Sequence, residues 1–438
     1  MKIIRNSLLL GLLCVALGFG LLCLVYSIPA SLMQDECYES LPAFSEDGIV
    51  DNDPLSGHKQ DNFSDAVRLL EAACPEQGNL LERVIGCYFM ATPALPGMEF
   101  EKPEGLLFFE EEPLNPVKSF RDLYGYETQG RPICYSRYWH GYLIYLKPLL
   151  AVFNYNQIRL ISAGAQTLLL LAVLVLLVKK LPRAAAPFAL TVLLLAPGSI
   201  GRCLQFSDVY TIMLLASLLL LWNPGGRLNR DNLPYFFLLV GIATVFFDLM
   251  SAPSITLTLP LCLLLAQERR GGDEKALLRT VAWCALLWLL GYGGMWAAKW
   301  LIAWLRQGEP FFNSLFGTVS TRASSDVGSG EAVSRVGTLL RNVRELFSVG
   351  WVNALVLAYA AGVALAGLFG KKRGLRFDGS AALRLLIPAA LALVWVLALC
   401  NHSYIHFWFA FRTLTPCVLA LLLALTPVKE ERKPFAEL

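Results

Sequence analysis

Long apolar runs alternate with short polar breaks along most of the chain, and one polar break is far longer than the others. Runs nearly free of charge fall at roughly 1–28, 156–178, 184–200, 208–222, 234–250, 252–267, 280–304, 348–370, 385–400 and 407–426. A helix needs about 20 apolar residues to cross a bilayer core. The ten runs therefore read as transmembrane helices, with 234–250 and 252–267 short for the purpose. The expected fold class is all-α integral membrane, with about ten spans and a large extracytoplasmic first loop.

The first run follows Lys2 and Arg5 and is uncharged from Ser7 to Ile28. A cleaved signal peptide has a shorter apolar core, so residues 1–28 read as a signal-anchor span; cleavage near Ser27–Ala30 is the competing reading. Residues 29–155 then form an extracytoplasmic loop with interfacial helices. Residues 156–426 form a nine-span membrane domain with an outer loop at 305–347, and 427–438 a cytoplasmic tail. Inside the first loop, Val67, Leu70 and Ala73 recur at helical spacing. Tyr138 to Leu150 mixes aromatics with Lys147, the composition of a helix lying along the headgroup layer. The Gly-, Ser- and Thr-rich stretch from Gly317 to Gly337 has the composition of a mobile loop or lid rather than of a packed unit.

Composition sharpens the class. The chain is 56% hydrophobic and 16% charged, with mean hydropathy +0.53, whereas soluble domains are about 25% charged. No basic run long enough for nucleic acid and no repeat of 20–50 residues is present. Charge sets the orientation. With the N-terminus inside, the inner segments hold 19 of the 37 basic residues, among them Lys179, Lys180, Arg183, Arg269, Arg270, Lys371, Lys372 and Arg373, against 8 acids. This is the positive-inside pattern and puts both termini in the cytoplasm of a multi-pass cell-membrane protein. Cys37, Cys74, Cys87 and Cys134 lie in the first loop, where four cysteines permit two disulfides in three connectivities. The alternative is that they are small apolar residues, like the seven others in or beside the spans.

All four histidines, His58, His140, His402 and His406, fall on the outer side of this topology. His402 and His406 are four apart and share a helical face, but no neighbouring Cys, His, Asp or Glu completes a ligand shell, so no metal ligands are assigned. Arg159, Asp208, Asp248, Lys299 and Arg412 lie toward the outer ends of spans, where a buried charge needs water or a partner. Arg159 and Lys299 can snorkel. Asp208 and Asp248 cannot reach as far, which points to a watery outer cavity or to a partner such as Arg412 or Lys299. Asp61 and Asp65 stand four apart at the start of the helical pattern, where the commoner use of an acid is as a cap, and Asp65 reads as a solvated or pairing residue.

Asp61-Asn62-Phe63-Ser64-Asp65, Tyr135 to Tyr142, Phe247 to Pro253 and His402 to Arg412 together resemble uncharacterised bacterial polytopic membrane proteins. Their layout of a first span, a large outer loop and many further spans is similar to that of the GT-C superfamily of glycosyltransferases. The resemblance implies inverting sugar transfer from a polyprenyl-phosphate lipid at the cell envelope to a glycan, lipid or protein acceptor, with no nucleic-acid partner. It implies a loop carboxylate as general base, with Asp61, Asp65 and the early acid Asp35 as candidates; which of them serves is open. Arg137, His140, Asp248, Lys299, His402, His406 and Arg412 are the candidate substrate-binding groups, since a departing phosphate needs cations. The cofactor is open, a divalent cation included. The absence of a G-x-x-x-x-G-K-[ST] loop fits a lipid rather than a nucleotide donor. A transporter or flippase for a lipid-linked or small anionic substrate is the alternative, and a non-catalytic envelope protein the third reading. The enzymatic reading expects Asp61, His140, Asp248, His402 and Arg412 around one outer cavity.

Overall fold

The computed structural model describes residues 2–44, 49–50, 57–58, 60–93, 114–126, 129–267, 273–326, 332–370 and 374–429. It is built almost wholly of helices. Six are long and apolar enough to cross a membrane: α1 (Lys2–Tyr26, apolar from Ile3), then 155–180, 274–307, 350–369, 379–398 and 407–425. They mark a membrane-embedded protein. Four of the ten apolar runs form shorter helices, at 182–194, 207–222, 233–247 and 255–267. At 1.5 Å per residue, thirteen residues span about 20 Å, less than a bilayer core of about 30 Å.

After α1 comes the long polar insert, with α2 (Gln34–Glu39), the ribbon β1 (Ile49–Val50) with β2 (Gln60–Asp61), α3 (Phe63–Ala72), α4 (Leu80–Gly86), β3 (Tyr88–Ala91), α5 (Pro116–Gly125) and β4 (Arg131–Cys134). β3 and β4 pair antiparallel with Tyr88 opposite Cys134, and β1 pairs with β2 through Ile49 opposite Asp61. The insert is no separate domain. Leu22 and Tyr26 of α1, Val67 and Leu70 of α3, Phe89 and Ile133 of the ribbon, and Leu238 and Leu287 from the bundle share one apolar core.

α6 (Leu143–Leu150), the stretch expected to lie along the headgroup layer, buries Leu143, Leu146, Lys147 and Leu150 within the protein and leaves Pro148 exposed. The insert folds over it, and Lys147 Nζ donates to the Ala72 carbonyl at 3.0 Å. α7 (Tyr155–Lys180) opens on a capping box made by Asn154 and Gln157. The run at 184–200 is two helices, α8 (Pro182–Leu194) and α9 (Pro197–Arg202), separated at Ala196 with φ +53°. Pro197 has no N–H to continue the ladder. α10 (Ser207–Trp222), α11 (Leu233–Phe247) and α12 (Ile255–Gln267) are the remaining short apolar helices, and every residue of α12 from Ile255 to Ala266 is buried. α12 is covered by protein all round, whereas α10 and α11 keep Leu215, Leu219, Trp222 and Leu239 exposed.

α13 (Glu274–Gln307) is 34 residues long, about 50 Å. It lies backbone against backbone on α11: a Cβ added at Gly241 would stand 2.3 Å from the Trp288 carbonyl, and one at Gly291 2.3 Å from that of Leu238. Beyond it the two ends of the stretch expected to be a mobile loop are helical, in α14 (Glu309–Ala323) and α15 (Arg335–Leu346), while 327–331 lie outside the described residues. Amphipathic spacing explains the difference: Phe311 and Leu315 bury one side of α14, and Thr338, Asn342 and Leu346 one side of α15. The chain closes with α16 (Gly350–Phe369), α17 (Gly379–Ala398), α18 (Cys400–Ile405), α19 (Phe407–Ala410) and α20 (Thr415–Leu425), and a last ribbon of β5 (Leu375–Arg376) with β6 (Val428–Lys429). All eleven cysteines, those of the insert included, are free thiols.

Candidate functional site

α3 carries a buried charged row and, beside it, residues that line a cavity. Asp65, Arg68 and Glu71 follow each other at three-residue steps, so they line one face, and all three are buried. Each charge has its own partners. Arg68 meets Asp208 of α10 at 2.7 Å and donates at 3.3 Å to the Tyr145 hydroxyl, which itself donates to Asp208 Oδ1 at 2.7 Å. The guanidinium also lies 4.3 Å from the centre of the Tyr142 ring. Asp65 accepts from the Tyr155 hydroxyl and from the Leu204 N–H at 2.8 Å. Burial pushes its carboxyl above the usual carboxylate range, against the opposing pull of Arg68 and these two donors.

Glu71 ends the row. The hydroxyls of Tyr26 and Tyr142 donate to its two oxygens at 2.6 Å each, and His140 Nδ1 lies 2.5 Å from Oε2. His140 Nε2 donates to the Tyr135 carbonyl at 2.8 Å, which fixes the ring with Nδ1 toward Glu71. Cys87 completes this layer. Its Sγ accepts from Lys299 Nζ at 3.2 Å, and the same ammonium is held by the Val84 and Ile85 carbonyls at 3.3 and 3.0 Å. Burial pushes the Cys87 thiol up to about 12, although the Lys299 charge draws it down.

Beside this row, the first turns of α3 border a cavity of about 920 Å³, the size range of small-molecule sites. Phe63, Ser64 and Val67 form one wall. Tyr292, Trp296 and Trp300 of α13, Trp395 of α17 and Trp408 of α19 give it an aromatic lining, and Thr318, Val319 and Arg322 of α14 close it from a further side. Two guanidiniums and two imidazoles lie among these rings. Arg137 sits between Tyr135 and Tyr138, its guanidinium 5.4 and 5.3 Å from their centres. Arg322 Nη1 donates to His406 Nε2 at 3.3 Å, and the His402 ring lies 5.0 Å from that of His406. Burial, then Arg322, pushes His406 down to about 3; burial, His406 and Arg322 hold His402 well below its ordinary value. Both histidines are thus neutral imidazoles at neutral pH. α14 is tied to this wall by the Asn401 N–H, which donates to the Ser324 carbonyl at 2.9 Å.

The comparisons return no relatives. No protein family, curated protein or solved structure matches this chain.

Of the residues singled out in the sequence, Arg137, His402 and His406 line the cavity. Asp65 and His140 stand one layer behind it, through Ser64 and Tyr135. Asp248 holds a turn instead, accepting from the Ser251 N–H at 2.9 Å and hydroxyl at 2.6 Å, and its neighbours Leu249 and Met250 reach the cavity. Lys299 is locked under Cys87, as above. Arg412 donates to the Leu195 carbonyl at 2.9 Å and stacks on Phe206 and Phe411 at 4.1 and 4.7 Å, away from the lining. Asp35 is exposed in the first turn of α2. Asp61 pairs through its backbone in β2, and its side chain lies outside the described residues. The helix cap there is Asn62, whose side chain donates to the Ala43 carbonyl at 2.6 Å rather than capping α3. Among the described lining residues none is a carboxylate.

Sequence reasoning did not single out Glu71, Arg322 or the tryptophans of the lining. Glu71 had a readable signal, since it continues the three-residue step of Asp65 and Arg68. Arg322 had none while its segment read as a loop. Chemically, the arrangement offers flat apolar faces for a ring or chain and two guanidiniums, with imidazole donors beside one of them, for an anion.

Proposed function

We propose that the chain is a membrane glycosyltransferase that takes its sugar from a polyprenyl-phosphate lipid. The observation that carries the reading is the cavity itself, in which Arg137 and the Arg322–His406 pair are set among tryptophan and tyrosine faces. Arginine forks bind phosphate oxygens in pairs, and aromatic faces suit both a sugar ring and an isoprenoid chain. The two neutral histidines can donate a hydrogen bond to phosphate without the cost of burying further charge. In this reading the sugar lies toward α3, and the base is a carboxylate from the insert. Asp61 is favoured because β2 runs directly into Phe63 and Ser64, both on the cavity wall. Under the positive-inside orientation the reaction takes place on the extracytoplasmic face.

One observation favours a carrier or flippase: no carboxylate is found among the described lining residues, so the described wall can bind an anionic lipid without a base to activate an acceptor. Purified protein in proteoliposomes, given a polyprenyl-phosphate sugar with labelled sugar, separates the two. Label appearing in a new covalent product supports transfer. Label crossing the bilayer on intact lipid supports the carrier.

A further inference from the structure

We infer that Glu71, Cys87 and His140 form a binding site for a divalent metal ion of the zinc class, which ties α3 and the end of α4 to the segment that leads into α6. All three side chains are buried, and one carboxylate oxygen, one sulfur and one imidazole nitrogen lie within 4.8 Å of one another. They come from three separate places: α3, the residue after α4, and the loop before α6. An O, S and N donor in that number matches a zinc site with three protein ligands and one open position. Tetrahedral bonds of about 2.0–2.3 Å put ligand atoms about 3.3–3.8 Å apart, so seating an ion asks chiefly that the 2.5 Å contact of His140 with Glu71 open by about an ångström.

The backbone and the surroundings are compatible with such a site. Cys87 takes left-handed backbone, φ +48°, as the C-cap of α4, where its N–H donates to the Arg83 carbonyl at 2.9 Å. His140 is left-handed as well, φ +56°, which in a non-glycine residue costs on the order of 1–3 kcal/mol unless something holds it. The surroundings are also those of metal ligands. The Tyr135 carbonyl takes the far nitrogen of His140, and two tyrosine hydroxyls orient the Glu71 carboxylate. A bound cation deprotonates a thiol outright, and Lys299, at 3.2 Å, offers a counter-charge to the resulting thiolate. The ion is taken up as the insert folds, and it orders the segment that carries Tyr135 and Tyr138 of the cavity wall. The site stands whether the cavity belongs to a transferase or to a carrier.

Elemental analysis of the detergent-purified full chain tests this, with Zn²⁺ and Co²⁺ as the probes. The expected result is close to one zinc per chain, falling at least tenfold in Cys87→Ser and in His140→Asn. Because either variant can fail to fold, the unmodified chain supplies a second readout. After chelation and Co²⁺ loading it should show the visible bands of tetrahedral cobalt with a sulfur charge-transfer band, and chelation should lower its melting temperature. A chain with a sharp melt that carries less than a tenth of an equivalent and takes up neither ion overturns the site. So does cobalt binding that keeps its sulfur band in a folded Cys87→Ser variant.

Discussion

Arg68 of the insert and Asp208 of the bundle meet at 2.7 Å with almost no solvent around either. The pair joins two segments 140 residues apart in the chain, with the Tyr145 hydroxyl bridging between them. Losing one partner of such a buried pair costs about 3–5 kcal/mol, because a lone charge is left in apolar surroundings. Arg68→Met and Asp208→Asn should each lower the melting temperature by several degrees. The double variant Arg68→Met with Asp208→Leu should recover most of that loss. A double variant as unstable as the sum of the singles would mean the two groups act separately.

The contact of α11 with α13 makes a steric prediction. Gly241→Val and Gly291→Val place a Cβ about where the opposing carbonyl already stands, and backbone cannot yield as a side-chain tip can. Overpacking of this kind costs about 1–3 kcal/mol or more. Gly294→Ala, three residues along the same helix with nothing within 4 Å of the added atom, should leave the melt unchanged. Thermal unfolding in detergent checks all three, and equal effects would contradict the close approach.

These contacts also show how far the sequence could be read. The ten apolar runs correspond to helices because hydrophobicity is a property of each segment alone. Four of the helices are short, and how far each is covered by its neighbours is decided only by the assembled bundle. His402 and His406 were legible as rare polar groups between the last two runs, and Arg137 was named through the resemblance; all three line one cavity. Partner choice was not legible. Asp208 was expected to face a watery cavity or a basic partner such as Arg412 or Lys299; the partner is Arg68, since nothing local tells which part of a long insert folds down onto α10. Asp248 finds its donors three residues away, a turn that hydropathy does not register. α14 and α15 were hidden by a Gly- and Ser-rich average that masked apolar positions at helical spacing.

Acid stability should depend on His406. Burial and Arg322 depress its folded value to about 3 from 6.5, so between those values the unfolded chain binds a proton that the folded chain does not. Stability from this group is full above about pH 6.5 and falls as the pH drops toward 3. His406→Gln, neutral throughout, should flatten the loss of melting temperature between pH 6.5 and 4. An unchanged acid limb would show that His406 is not held neutral in this way.

Anion binding should centre on the guanidiniums. Charge-assisted hydrogen bonds contribute about 1.5–3 kcal/mol, so Arg322→Gln and Arg137→Gln should each weaken polyprenyl-phosphate binding about 10- to 100-fold. Quenching of the fluorescence of Trp296, Trp300, Trp395 and Trp408, which line the cavity, gives the affinity. Arg412→Lys, altered outside the lining, should change stability and leave the affinity alone. A larger loss of affinity there than at Arg322 would move the anion site elsewhere.

Sugar transfer by the purified chain tests the central claim most directly, with a polyprenyl-phosphate sugar as donor and labelled product separated from donor lipid. Steady turnover in the unmodified protein, lost in Asp61→Asn while the variant keeps its melt and its donor affinity, is the predicted result. Undiminished turnover in Asp61→Asn would remove that carboxylate as base. Tight donor binding with no transfer to glycan, lipid or protein acceptors would contradict the transferase reading itself.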